Sequence, residues 1–375
     1  MSTRRTIRLA TRGSDLARRQ AESVKERLEE RRIEVELIEM ETTGDRIQDE
    51  LIHRLGKTGA FVRSLDQEVM DGEVDGAVHS MKDMPTDSPP ELVVAGIPER
   101  AAPGDVLVTP DGRGIDDLDP GAVVGTSSLR RKAQVLSARP DLSVEPLRGN
   151  VDTRIEKLLA PALQREHGRR LDAEEGDAEN GDSGAGDADA PEFDRTVEEW
   201  FDGLAEIERR AMERRPDVEY DAIVLAAAGL DRAGLTHHVG THDLPRSAFV
   251  PAPGQGAIAV TATEGSDASE AINDAIDHPR TRVETTAERV VLAELGGGCV
   301  APIGVHAVVQ GEYVHVEAAV FDTEGEREVS ATRDLPVEKY VTEARAFAGD
   351  LRERGAADLI TDARADADER EAKRG

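Results

Sequence analysis

Four short stretches carry side chains suited to holding a polyanion. Arg12 follows RLAT. HSMKD supplies Ser80, Lys82 and Asp83. GTSSLRR supplies Thr126, Ser127, Ser128, Arg130 and Arg131, and LRGNVDTR supplies Arg148 and Arg154. Hydroxyls at a helix start cap its free N–H groups, and that end of a helix attracts anions. A guanidinium can grip a carboxylate through two parallel hydrogen bonds. Taken singly, each residue reads equally well as a cap or a surface salt bridge. Together, in a chain of net charge −30, they read as one cationic rim for a ligand with many carboxylates. Asp83 is the lone carboxylate in that set. Beside Lys82 it is an ion-pair partner or, functionally, a proton carrier facing a cationic centre. Cys299, the only cysteine, follows three glycines in LGGGCVAP, so no internal disulfide is possible.

These stretches fall at the ends of expected strands. TIRLATR reads as a strand ending at GSD, followed by the amphipathic helix LARRQAESVKERLEER and the alternating strand EVELIEME. AFVRSLDQEVMDGE reads as a helix, VDGAVHS as a short buried strand ending at MKDMP, and ELVVAGIP as a further strand. A second unit starts near Asp105 with DVLVTP. GAVVGT then runs into the helix SSLRRKAQVLSAR, and LSVEPLRGN and the doubly buried strand YDAIVLAAAGL follow. Strand–helix alternation of this kind predicts α/β units with mainly parallel sheets, whose ligands sit beyond the carboxyl ends of the strands. RTRVETTAERVVLAEL is a helix ending at the glycines, and the three strands and closing helix after it form a small α+β unit. The last dozen residues read as a frayed, charged tail.

Residues 172–194 hold acidic residues and no basic ones, which predicts disorder. After them, Val197, Trp200, Phe201, Leu204 and Ile207 fall on one helical face. Residues of about 161–218 therefore read as an insertion, a floppy acidic loop plus one docked helix, without a chemical role.

Composition narrows the partners. Asp plus Glu number 77 against 47 Lys plus Arg, and of the basic residues only seven are Lys. Such a field repels nucleic acid and acidic lipid. It resembles surfaces adapted to molar salt, where the Debye length is about 3 Å and self-repulsion is screened. No apolar run reaches the roughly 20 residues of a membrane span, and no secretory signal opens the chain, so a cytoplasmic setting is expected. His237, His238 and His242 in LTHHVGTHD invite a metal reading, but Gly240 interrupts the helix that would align them, and no metal is expected.

RLATRGSDLA, VHSMKDMP, VGTSSLRR, LRGNVDTR, YDAIVLAAAGL, PAPGQGA and GGGCVAPIG occur in this order. With them the chain closely resembles the hydroxymethylbilane synthase (porphobilinogen deaminase) family over most of residues 5–362. The resemblance implies two domains like type II periplasmic binding proteins and a third, small α+β domain carrying the cofactor cysteine. The implied extents are 1–98 plus 257–276, then 103–250, then 279–362, with a charged tail at 363–375. It implies that Cys299 carries a dipyrromethane cofactor through a thioether bond. Four porphobilinogen units would add head to tail to this primer, each losing ammonia to give an azafulvene electrophile, before hydrolysis frees the tetrapyrrole. Asp83 matches the family's catalytic aspartate, and Arg12, Arg130, Arg131, Arg148 and Arg154 its carboxylate-binding arginines.

The chain would cross between the first two domains near 99–103 and 251–256. There Pro253, Gly254, Gln255 and Gly256 of PAPGQGA suit a hinge. A monomer that passes its product to uroporphyrinogen-III synthase is expected. Where many bacterial relatives read GGKGLF, this chain has LGKTGAF, so neither Lys57 nor Thr58 takes over a binding role. Two readings compete with the enzyme: a non-catalytic two-domain polycarboxylate-binding protein, and a degenerate synthase. Both predict an unmodified thiol.

Overall fold

The computed structural model describes residues 6–40, 58–180, 193–296 and 301–372. Strand β1 (Thr6–Arg12) buries Ile7, Leu9 and Ala10 and passes through GSD into helix α1 (Asp15–Glu30). Ser14 caps that helix by accepting from the Ala17 amide. Gln20, Ala21, Val24 and Leu28 recur on its buried face. Strand β2 (Glu34–Met40), helix α2 (Thr58–Met70), and strands β3 (Gly76–Ser80) and β4 (Leu92–Gly96) follow. The second unit holds β5 (Asp105–Thr109), β6 (Val123–Gly125), helix α3 (Leu129–Ala138), β7 (Ser143–Glu145) and the long helix α4 (Val151–Asn180). Helices α5 (Val197–Asp202) and α6 (Glu206–Met212) come next, then β8 (Ala222–Ala226), α7 (Ala227–Ala233) and β9 (Gly240–Asp243). The chain then returns to the first sheet as β10 (Ile258–Thr263), backed by α8 (Asp267–Ile276).

The two sheets have matching plans. The first runs β2-β1-β3-β10-β4 and the second β7-β6-β8-β5-β9. In each, four strands run in one direction, while β10 and β5, the strands entered directly from a crossing, are antiparallel to both neighbours. Each sheet is therefore mainly parallel, as strand–helix alternation implied, with a single reversed strand. A strand arriving from another unit needs no crossover helix and can enter in the antiparallel sense.

The third sheet is a meander of β11 (Ile303–Gln310), β12 (Tyr313–Phe321) and β13 (Glu328–Pro336). It packs on α9 (Pro279–Leu295) and α10 (Tyr340–Leu351) around Val291, Val305, Val316 and Phe347. Helix α11 (Ala357–Ala372) is anchored by buried Leu359, Ile360 and Ala363 and carries on, largely exposed, through Ala372 of the tail expected to fray; residues 373–375 lie outside the described residues.

The insertion also differs from its expectation. Helix α4 continues through Pro161 to Asn180, so the start of the acidic stretch is helical rather than a loop. Residues 181–192 of that stretch lie outside the described residues. The docked element is two helices, α5 and α6, broken at Gly203. Trp200, Leu204 and Ile207, at i, i+4 and i+7, are buried, whereas Phe201 stands off that face and is 38% exposed. His167 stacks on Trp200 with ring centroids 6.0 Å apart, and Arg170 lies over Phe193 and Trp200. These contacts hold the extension of α4 that the sequence left unpartnered.

Candidate active site

β3 ends at Ser80, and a single 3₁₀ turn, Met81–Asp83, follows. Met81 and Met84 are buried and anchor the turn from within, and the Met81 amide donates to the Ala257 carbonyl at 3.0 Å. Lys82 and Asp83 lie between these anchors and face outward, with Nζ 3.8 Å from Oδ1. The ion pair anticipated for Asp83 therefore exists, but it is half-exposed and loose, and the carboxylate stays accessible.

In the second unit the GTSSLRR loop joins β6 to α3. Ser128 caps α3 and accepts from the Arg131 amide at 3.4 Å. Thr126 Oγ1 accepts from the Ser128 amide, and the Ser127 hydroxyl donates to the Leu147 carbonyl. Arg130 and Arg131 do not line an open rim as expected. Both point inward, 5% exposed, onto the fully buried Asp105 at the start of β5. Arg130 Nη2 is 2.8 Å from Asp105 Oδ2, and Arg131 Nη2 and Nε are 2.7 and 3.1 Å from Oδ1. Burial by itself would raise the Asp105 carboxyl, but the two guanidinium charges outweigh it and hold the group well below its ordinary value. The net charge of this buried trio is positive.

Arg148 and Arg154 flank the turn between β7 and α4. Gly149 adopts φ 113 there, a left-handed conformation that favours glycine. Arg154 Nε donates to the Gly149 carbonyl at 2.8 Å, and Lys157 Nζ to the Arg148 carbonyl at 3.1 Å. Burial and the charge of Arg131 lower the Arg154 pKa to about 10, against an opposing pull from Asp83. Arg154 thus feels both the buried arginines of its own unit and the Asp83 turn of the other. Lys157 is lowered by burial and by Arg214, Arg154 and Arg148, with Asp217 opposing. Arg12, at the end of β1, and Ser80 are part-buried at strand ends of the first sheet. Such an excess of positive charge fits a ligand bearing several carboxylates.

Behind the site the two crossings touch. Gly254 and Gly256 have φ 73 and 84, and a Cβ on Gly256 would lie 2.5 Å from the Ala101 carbonyl oxygen. Side-chain freedom is excluded at both, so the chain can turn there only as glycine. Gln255, fully buried, donates to Asp105 Oδ1 at 2.9 Å and to the Pro103 and Gly104 carbonyls. Arg100 donates through Nε to the Gln255 carbonyl at 2.7 Å and pairs through both Nη atoms with Glu288 of α9. A continuous buried polar network therefore runs from the third unit, through both crossings, to the paired arginines.

Asp105, Arg100 and Glu288 were not singled out in the sequence. The available signal was a Glu–Arg pair inside the otherwise regular helix TAERVV and an acid opening an apolar strand. Cys299 lies outside the described residues, as does Lys57. Thr58 begins α2. Helix α9 reaches Leu295 and closes on Gly296 in the left-handed region. Arg364 of α11 donates to the Gly296 carbonyl and Arg352 to that of Glu294 at 3.5 Å, so the last turn before the cysteine loop is capped from the closing helices. Among the described residues no cluster of three or more His, Cys, Asp or Glu side chains could hold a metal ion.

Residues 7–165 and 204–271 match the family model described as "Porphobilinogen deaminase, dipyromethane cofactor binding domain", and residues 283–353 match that of the "Porphobilinogen deaminase, C-terminal domain". The chain belongs to the porphobilinogen deaminase family. The gap in the first match, 166–203, falls within the insertion. A probable porphobilinogen deaminase of Halobacterium salinarum is 57% identical, covering 96% of this chain and 99% of its own. A porphobilinogen deaminase of Desulforudis audaxviator is 35% identical, covering 97% and 100%. Among solved structures, the methionine-binding protein MetQ is similar at a TM-score of 0.36 and 11% identity, covering 72% and 89%. The family is one of transferases with a dipyrromethane cofactor, and membership disfavours the non-catalytic binding protein. No helix among the described residues is long and apolar enough to cross a membrane.

Proposed function

We propose that this chain is a hydroxymethylbilane synthase, joining four porphobilinogen molecules head to tail with loss of ammonia and hydrolysing the product from its primer. The observation that carries the reading is the half-exposed Asp83 carboxylate on the turn after β3, beside Lys82 and within electrostatic reach of Arg154 of the second unit. Dipyrromethane, thioether-linked to Cys299, supplies a nucleophilic pyrrole carbon as primer when bound. Its carboxylates and those of the substrate would be held by Arg12, Lys82, Arg148 and Arg154, with hydroxyls of Ser80, Thr126 and Ser128 at the strand ends, while the Ser127 hydroxyl ties this loop to the Leu147 carbonyl. Arg130 and Arg131 act from behind, adding positive field while tied to Asp105. Asp83 holds the proton exchanged with the departing amine and offsets positive charge on pyrrole nitrogen.

Residues 1–98 with 257–276 and residues 103–250 form the walls of the cleft, 279–362 carry the attachment loop, and the stretch Pro253–Gly256 is the hinge. The protein works as a cytoplasmic monomer and passes its product to uroporphyrinogen-III synthase. The acidic surface suits a salt-rich cytoplasm. The test is the intact mass of protein made in a host that supplies the precursor, followed by ammonia release from porphobilinogen. A mass excess equal to one dipyrromethane with turnover is expected; the bare polypeptide mass refutes the enzyme reading.

A further inference from the structure

Arg289 lies one residue beyond Glu288 on α9, and its guanidinium reaches the turn that presents Asp83. Nη1 donates to the Met84 carbonyl at 3.2 Å and, more weakly, to that of Met81 at 3.5 Å, while Nη2 donates to the Pro85 carbonyl at 2.6 Å. The acceptors bracket Asp83 on both sides. Burial lowers the Arg289 pKa. A half-buried cation whose acceptors are backbone carbonyls of one turn is a costly way to fill space, since an apolar side chain would pack there without desolvating a charge. The planar fork suits the task, because it spans carbonyls of several residues at once, whereas a lysine offers a single point of contact.

We infer that Arg289 is a positioning residue for Asp83, a side chain of the third unit fixing the backbone of the turn that carries the reacting carboxylate. The inference rests on the reading of Asp83 proposed above. The turn itself is short on internal support. The Met84 amide donates to the Met81 carbonyl at 3.2 Å, the same oxygen that Arg289 approaches. The helix that holds the turn ends at Leu295, a few residues before Cys299. One rigid element thereby connects the carboxylate's backbone to the start of the attachment loop.

The test is a double-mutant cycle on holoenzyme whose cofactor loading is verified by intact mass. Arg289→Met is made alone and with Asp83→Asn, and kcat, KM and amide exchange over residues 81–85 are measured. Loading is expected to persist and the Met84 amide to exchange faster. KM should stay within about threefold while kcat falls about tenfold to a hundredfold, the loss that a displacement of order 1 Å produces. In the Asp83→Asn background the same substitution should cost less than about threefold, because it acts through a carboxylate already removed. Equal losses in both backgrounds, or unchanged exchange at Met84, overturn the inference. Wild-type turnover of Asp83→Asn alone would instead refute the reading of Asp83, and the exchange measurement then decides the clamp on its own. Should Arg289→Met fail to fold, Arg289→Lys, which keeps the charge and loses the fork, is put through the same cycle under the same criteria.

Discussion

Arg100 and Glu288 form a bidentate ion pair, 2.7 and 3.0 Å, between the first crossing and the helix that leads to the attachment loop. Glu288 is fully buried and also accepts from the amides of Gly254 at 2.7 Å and Ala307 at 2.8 Å, so one carboxylate joins both crossings to the third sheet. Glu288→Ala would leave two amides and a guanidinium unpaired in the interior. The expected loss is about 3–5 kcal/mol of unfolding free energy, read from the midpoint of urea denaturation at unchanged slope. A variant as stable as the parent would show that the junction does not depend on this pair.

Acid should release the two buried carboxylates in a defined window. Both Asp105 and Glu288 have depressed native pKa values: burial would raise each, and Arg130 with Arg131, or Arg100 with His306, outweigh it. The unfolded chain binds protons near the ordinary 3.8 and 4.5, whereas the native state refuses them. Their stabilisation is therefore complete above the ordinary carboxyl range and is lost as pH falls through it toward the depressed native values. Urea midpoints should be level from about pH 7 to pH 5 and fall below about pH 4. Asp105→Asn should lower stability at neutral pH and flatten the acid slope; an unaltered slope would assign the acid sensitivity to other groups.

Cys299→Ser should give a folded chain of bare polypeptide mass, because a hydroxyl is a poorer nucleophile than a thiol for thioether-type priming. Normal activity in this variant would remove Cys299 as the anchor.

Asp83→Asn keeps the shape of the side chain and removes its charge. Cofactor loading, read by mass, should persist while turnover falls by orders of magnitude, about 10²-fold or more. Burial and Arg131 already lower Arg154, and the variant also removes the opposing charge of Asp83, so Arg154 should be lowered further. The pH dependence of KM measures that shift.

Deleting 181–192 should leave activity intact, since no residue there matches a family motif. Trp200→Ala, in contrast, should destabilise by about 2–4 kcal/mol through the cavity left against α4, with thermal melting as the measurement. Loss of turnover on that deletion, with loading and melting normal, would make the acidic segment part of the active site.

Much of the site was legible because its chemistry is local. Strand ends, caps and the HSMKD and LRGNVDTR loops are set by turn residues and alternating hydrophobicity within a few positions of each functional side chain. The same local signals put Lys82 and Asp83 just past the end of the strand VDGAVHS, where the turn Met81–Asp83 lies. The motifs in their order were enough to indicate the family, and the resemblance singled out Cys299, which lies outside the described residues.

Which way the arginines face was decided only by tertiary structure. In the sequence Arg130 and Arg131 are simply basic residues of a helix's first turn. They turn inward because β5, entering from the first crossing, buries Asp105 beneath them, and an unpaired carboxylate there would cost more than two desolvated guanidiniums that share it. Arg289 reads likewise as one charged residue of an amphipathic helix until the Met81–Pro85 turn, more than 200 residues earlier in the chain, is brought against it. The continuation of α4 and the helical tail follow the same rule. In α4 the contact comes from Phe193 and Trp200 against Arg170 and His167, and in α11 from the buried Leu359, Ile360 and Ala363 at its start. The sequence by itself determined which groups are available and on which loops. The meeting of two crossings and a third unit's helix determined which of them face the cleft and which hold it together.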